Sequence, residues 1–80
     1  MRLDKYLKVS RLIVRRTVAN EACDAGRVVV NGNKAKASYE VKEGDMIKIT
    51  FGQKEVCVRV KTIKEHARKE EACEMYEVVE

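Results

Sequence analysis

Apolar and polar positions along the chain change their period once. Over the first 25 residues they recur at helical spacing, with Leu3, Tyr6 and Leu7 on one arc and Lys5 and Lys8 opposite. Val9, Leu12, Ile13 and Val14 leave that arc, which predicts a break around residues 10–14. A second helix over about 16–25 gathers Val18, Ala19, Ala22 and Cys23 on its inner side and turns Thr17, Asn20, Glu21 and Asp24 outward. Gly26 follows where helices commonly end in a left-handed residue.

Beyond Gly26 the period becomes two. Val28 and Val30 point one way, and Asn31-Gly32 signals a tight turn leading into an extended segment over 34–38. A turn over 41–45 precedes a strand over 46–51 with Ile47 and Ile49 inward. After another turn at 52–54, Val56, Val58 and Val60 line one face of the next strand. Residues 64–75 read as a charged loop entering a short helix, and 76–79 as an edge strand; Phe51 and Tyr76 are expected to complete the core. Two helices followed by a small, mostly antiparallel sheet and a short C-terminal helix and strand define an α+β fold, expected as one domain over 1–80.

Composition narrows the functional classes. With 80 residues the chain has room for one small core, burying roughly 60–65% of its unfolded surface, and none for a separate catalytic domain. No apolar run approaches the roughly 18 residues of a membrane span, and the start, MRLDKYLKVSR, lacks a signal-peptide core. A cytoplasmic chain with no membrane partner is expected. Cys23, Cys57 and Cys73 form no C-x-x-C pair, so they are read as buried or half-buried small hydrophobes, and no metal or cofactor is expected. Ser10, Cys23 and His66 make no nucleophile–base arrangement; the expectation is that the protein is not an enzyme and that His66 is a surface residue.

Charge is unevenly placed. Seventeen Lys and Arg oppose thirteen Asp and Glu, a net of +4, but residues 1–40 hold nine basic and four acidic side chains and residues 41–80 hold eight and nine. The surplus is therefore +5 in the first half and −1 in the second, which points the first half at a polyanion. Arg2 stands at the start of the first helix, and Arg15 and Arg16 at the start of the second. Cations there oppose the helix dipole by ~0.3–1 kcal/mol each, and folding alone favours Ser, Asp or Glu. Only Asp4 conforms. An anion docked on the helix starts resolves the conflict, because free N–H groups and guanidinium forks both bind phosphate. Lys5, Lys8 and Arg11 extend this surface along the first helix, and Arg27, Asn31, Lys34 and Lys36 extend it across the hairpin. The competing reading is a solvated basic face that serves solubility.

Several segments carry a family resemblance. R-L-D at 2–4, Leu7, the helix end Ala25-Gly26, R-V-V-V-N-G at 27–32 and V-K-E-G-D-M-I-K-I at 41–49 resemble the S4 RNA-binding domain over about residues 1–50, leaving 51–80 as a C-terminal extension. M-R-L-D-K-Y-L-K-V-S-R-L-I at the start, R-R-T at 15–17, N-G-N-K-A-K-A-S at 31–38, F-G-Q-K at 51–54 and K-E-E-A at 69–72 are similar to the RqcP-like family of short bacterial S4 proteins, themselves related to the heat-shock S4 protein. That resemblance implies a cytoplasmic, ribosome-associated role in quality control. Such proteins bind large ribosomal subunits obstructed by peptidyl-tRNA and assist an RqcH-like factor in adding alanine tails to stalled chains. The implied partners are rRNA of the large subunit, peptidyl-tRNA and that factor, for a chain expected to be monomeric when free. The implied RNA-binding residues are Arg2, Lys5, Lys8, Arg11, Arg15, Arg16 and Thr17, with Arg27, Lys34 and Lys36 behind them. Arg15 departs from the wider pattern, which often has a capping Ser or Thr there.

With no Trp, one Phe and three Tyr, the chain lacks the stacking platforms of single-strand binders and suits phosphate-led recognition of structured RNA. Tyr6 is expected in the core, whereas Tyr39 stands near Lys34 and Lys36. Arg2→Ala and Arg16→Ala are expected to weaken binding without unfolding the chain. Two rival readings are recycling of large subunits in the manner of the heat-shock S4 protein, and a protein-interaction module built on Glu65, Glu70, Glu71, Glu74, Glu77 and Glu80.

Overall fold

The computed structural model describes residues 1–79; Glu80, counted above among the acidic C-terminal residues, lies outside them. Helix α1 spans Leu3–Val9 and buries Leu3, Tyr6 and Leu7 completely. Helix α2 spans Arg16–Asp24 and buries Ala19 and Cys23. Its end is closed by Gly26 at φ 75°, with Gly26 N–H donating to the Cys23 carbonyl at 3.0 Å and Arg27 N–H to the Ala22 carbonyl at 2.9 Å. A side chain at Gly26 would be strained there and would also press on Lys34, whose Cδ lies 3.3 Å from an ideal Cβ.

The strands are β1 (Val28–Val30), β2 (Asn33–Lys34), β3 (Met46–Phe51), β4 (Lys54–Val60) and β5 (Tyr76–Val78), with the short helix α3 at Lys69–Ala72. They form one antiparallel sheet in the order β2-β1-β3-β4-β5. Asn31 at φ 52° and Gly32 at φ 85° make the two-residue turn between β1 and β2, where both central residues need positive φ. Alternation sets the faces: Val28, Val30, Ile47, Ile49, Val58 and Val60 are buried, while Lys48 and Arg59 face solvent. These residues pack with Leu3, Tyr6, Leu7, Ile13 and Met75 into one cluster, each large side chain worth ~1.5–3 kcal/mol on full burial. Tyr6 also donates its hydroxyl to the Met75 carbonyl at 2.7 Å, fastening α1 to the C-terminal segment.

The α+β architecture follows the periodicities, with four local departures. The extended segment expected over 34–38 pairs as a strand only through Lys34, because the Ala37 and Tyr39 carbonyls turn away to accept N–H groups of α1. Phe51 keeps the parity of Ile47 and Ile49 but is 43% exposed, facing α2 across an open groove rather than closing the core. Val18 borders the same groove and is 45% exposed, while Asn20, expected to face outward, reaches back to α1. Cys23 is buried and Cys57 half-buried, but Cys73 is exposed just past α3.

Candidate nucleic-acid interface

Neither N-cap residue of the two long helices makes a side-chain cap, since Arg2 and Arg15 are both extended arginines. The two helix starts nevertheless differ. At α1 the N–H groups are already used: Leu3 donates to Tyr39 O at 2.8 Å, Asp4 to Ala37 O at 3.2 Å, and Lys5 to Asp4 Oδ1 at 2.8 Å. The start of α1 therefore offers no free backbone donors. At α2 the N–H groups of Arg16, Thr17 and Val18 have no protein acceptor among the described residues, and Arg15, Arg16 and Thr17 are exposed. Only the second of the two expected anion sites keeps its backbone donors.

Asp4 joins the two helix starts. Its carboxylate is buried and accepts Arg2 Nε at 3.2 Å and Nη2 at 3.4 Å, Arg16 Nη2 at 3.5 Å, and Asn20 Nδ2 at 3.3 Å. Burial opposes ionisation of Asp4, but hydrogen bonds from Asn20, Arg16 and the Lys5 N–H, with the Arg16 charge, outweigh it and hold the carboxyl below its ordinary value. Both arginine side chains stay about half exposed, 52% for Arg2 and 48% for Arg16, while the Asp4 carboxylate holds both. Asn20 follows Arg16 by four residues and shares its helix face, a spacing that marks it as a brace.

The remaining expected residues fall in three places. Lys8, in the last turn of α1, and Arg11, in the turn beyond it, are exposed and enter no ion pair among the described residues. Lys5 is half-buried and paired with Glu65, so its charge is met from within the chain. Arg27 and Lys34 lie at the far end of α2, about 15 Å of helix rise from Arg16, and the Lys34 stem covers Gly26. Lys36 is exposed and lines a shallow hollow with Lys34, Asn33 and Tyr39, so it stays with the hairpin rather than with the Asp4 cluster.

Asn31 and Tyr39 belong to a second polar cluster. Asp45 is buried and accepts Asn31 Nδ2 at 3.1 Å, the Tyr39 hydroxyl at 2.9 Å and Lys42 N–H at 2.9 Å, while Met46 N–H donates to Asn31 Oδ1 at 3.0 Å. Bonding to Asp45, with some burial, raises the Tyr39 phenol. Asn31 thus fastens the β1–β2 turn to the start of β3.

Three of the acidic C-terminal residues are paired within the chain, while Glu70 and Glu74 are exposed and enter no ion pair among the described residues. Glu65 meets Lys5, Glu71 meets Lys64 at 3.2 Å and also accepts Arg68 N–H, and Glu77 lies 3.8 Å from Arg59. Burial, then the Asp4 and Asp24 charges, push the Cys23 thiol up to about 11, which leaves it protonated and inert. Among the described residues no helix is long and apolar enough to cross a membrane.

Residues 1–47 match the S4 domain family. The chain belongs to the S4 domain family. It is 63% identical over 78 residues to an RQC P-site tRNA stabilizing factor of Halalkalibacterium halodurans, covering 98% of this chain and 89% of that protein. Identity to the factor of the same name from Bacillus subtilis is 57% over 79 residues, covering 99% and 92%. Among solved structures, heat shock protein 15 of Vibrio cholerae superposes with a TM-score of 0.92 at 31% identity, over 99% of this chain and 81% of that one. The S4 match ends before β4, so β4, α3 and β5 extend the matched region onto the same sheet.

Proposed function

We propose that this protein binds structured RNA on the large ribosomal subunit, clamping phosphates of rRNA and of an adjoining peptidyl-tRNA, as a non-enzymatic factor of ribosome-associated quality control. The observation that carries this reading is the α2 start: unpartnered N–H groups beside Arg15 and Thr17, with Arg16 and Arg2 braced on one buried carboxylate. Braced guanidiniums lose little freedom on meeting a phosphate, and the clamp needs no stacking residues. Arg2, Arg15, Arg16 and Thr17 form the centre of the interface, and Lys8 and Arg11 one flank. Lys5 joins when its pairing with Glu65 gives way, and Arg27, Lys34 and Lys36 contact RNA only if it runs along α2 to the hairpin.

The names of the relatives support a P-site tRNA as the neighbour on the ribosome. The finer role is assistance to an RqcH-like factor during alanine tailing, in a single domain over 1–80 that is cytoplasmic, ribosome-associated and monomeric when free. Sucrose-gradient sedimentation of cell extract tests the binding. Co-migration with free large subunits carrying peptidyl-tRNA is expected, and a protein that stays at the top of the gradient at low salt overturns the reading. Superposition on heat shock protein 15 favours a second reading, recycling of large subunits. Alanine tailing reconstituted with and without the protein separates the two, because recycling alone leaves tailing unchanged. The protein-interaction reading rests on exposed Glu70 and Glu74, since Glu65, Glu71 and Glu77 are met by Lys5, Lys64 and Arg59.

A further inference from the structure

The turn that ends α1 holds a residue in a conformation its side chain disfavours. Arg11 follows the C-cap Ser10 at φ 63°, donating its N–H to the Lys8 carbonyl at 3.1 Å. This is the left-handed position at which helices usually place glycine, and a residue bearing a Cβ there costs roughly 1 kcal/mol or more. Lys8, in the last turn, is accounted for by the helix dipole. Arg11 is not accounted for by folding, and backbone strain retained at a charged, exposed residue points to a binding role.

A cleft opens beside it. Lys8 and Arg11 line one wall and Glu65 and His66 the other, above half-buried Val9 and Ala67, in a volume of about 180 Å³. Among the described residues, the side chains of Lys8, Arg11 and His66 make no hydrogen bond or ion pair. The one acid in the cleft, Glu65, is neutralised by Lys5, and that pairing holds the C-terminal segment against α1.

We propose that this cleft is a phosphate subsite of the RNA interface, with Lys8 and Arg11 donating from one wall and His66 from the other. The proposal rests on the RNA-binding reading above and extends it: the segment beyond the S4 match contributes a contact of its own. His66 donates in either protonation state, because a neutral imidazole keeps one N–H. The occupant is a backbone phosphate of the RNA already held at the start of α2.

The test measures binding of the full chain to purified large ribosomal subunits carrying peptidyl-tRNA, by sedimentation over a series of KCl concentrations, together with thermal melting. Arg11→Gly is expected to leave the melting temperature unchanged or raised. It should also weaken binding about tenfold or more, as for one charge-assisted hydrogen bond, and reduce the salt slope by about 0.9. His66→Gln is expected to weaken binding about threefold, and His66→Lys to restore it. Parent-like binding by Arg11→Gly and His66→Gln, with binding weakened in Arg15→Ala, removes the subsite and leaves the RNA reading intact. A lowered melting temperature in Arg11→Gly overturns the strain argument. Failure of the unaltered chain to sediment with the subunits at low salt overturns both readings together.

Discussion

The carboxylate of Asp4, the second residue of α1, accepts a hydrogen bond from Arg16, the first residue of α2, with Oδ1 and Nη2 3.5 Å apart. Arg2 and Asn20 converge on the same group. A positive surface that should repel itself is thus assembled around one buried negative charge, and removing that charge should cost stability although it raises the net positive charge. Asp4→Asn places an amide NH2 among donors and leaves at least one of them unmet. The expected loss is about 1–3 kcal/mol, seen as a melting temperature lower by about 5–15 °C at pH 7. An unchanged melting temperature would show that the cluster is incidental to the fold.

The arginines of the α2 start separate into two kinds. Arg15 makes no ion pair among the described residues, whereas Arg16 is braced by Asp4. Arg15→Ala should keep stability within about 0.5 kcal/mol and lose one phosphate contact. If about five basic groups meet phosphates, the parent's log K should fall with log[salt] at a slope of about −3 to −4.5, and Arg15→Ala should flatten it by about 0.9. Arg16→Ala should flatten it equally and also lower the melting temperature, as should Arg2→Ala. Neither change should unfold the chain, as the sequence leads one to expect, but the shared Asp4 carboxylate adds a cost in stability to the loss of binding. Salt-titrated binding and melting curves on the same three variants decide the matter.

Much of this was legible in the residues. Leu3, Tyr6 and Leu7 mark the buried face of α1, Asn31-Gly32 the first hairpin, and Ile47, Ile49, Val58 and Val60 the inner face of the sheet, because each is fixed by local periodicity. What escaped is non-local. Nothing near Lys5 in the chain announces Glu65, sixty residues on, and nothing near Leu3 and Asp4 announces that the Tyr39 and Ala37 carbonyls take their N–H groups. Phe51 and Val18 have the right parity for burial, but the helical layer leaves a groove between them. His66 reads as bland until the fold sets it across a cleft from Arg11.

Acid should act most through the two buried carboxyls, Asp4 and Asp45. For Asp4, burial is outweighed by Asn20, Arg16 and the Lys5 N–H; for Asp45, it is outweighed by the Lys42 N–H, Asn31 and Tyr39. Both therefore lie below the ordinary 3.8 in the folded chain. Between the folded and unfolded values the unfolded chain binds more protons, so stability rises with pH there. The contribution is complete above the ordinary value and is lost as pH falls through the depressed ones. Urea midpoints measured from pH 6 down to pH 2 should fall at the acid end, and less steeply in Asp45→Asn. Equal slopes for the two proteins would remove Asp45 from the account.

The C-terminal segment should unfold with the N-terminal helices rather than before them. Tyr6 is buried, and its hydroxyl donates to the Met75 carbonyl at 2.7 Å, an oxygen that also accepts Lys61 N–H at 2.9 Å. Tyr6→Phe removes one bond but leaves that carbonyl satisfied, so the expected cost is about 0.5–1.5 kcal/mol with a single melting transition. A separate early transition would mean that residues 61–79 are only loosely attached.

Asn31, which the sequence offered as an extension of the basic surface, ties the β1–β2 turn to the start of β3. It holds φ 52°, donates to Asp45 at 3.1 Å and accepts Met46 N–H at 3.0 Å. Asn31→Gly keeps the left-handed backbone accessible and loses only the two hydrogen bonds, for about 1 kcal/mol given that the residue is exposed. Asn31→Ala loses the same bonds and adds the left-handed penalty, for about 2 kcal/mol in total. Chemical denaturation should therefore order the proteins as parent, then Gly, then Ala. Affinity for large subunits, measured where all three remain folded, should not follow that order, because the side chain binds Asp45 and not RNA. A variant as stable as the parent but weaker in binding would return Asn31 to the interface.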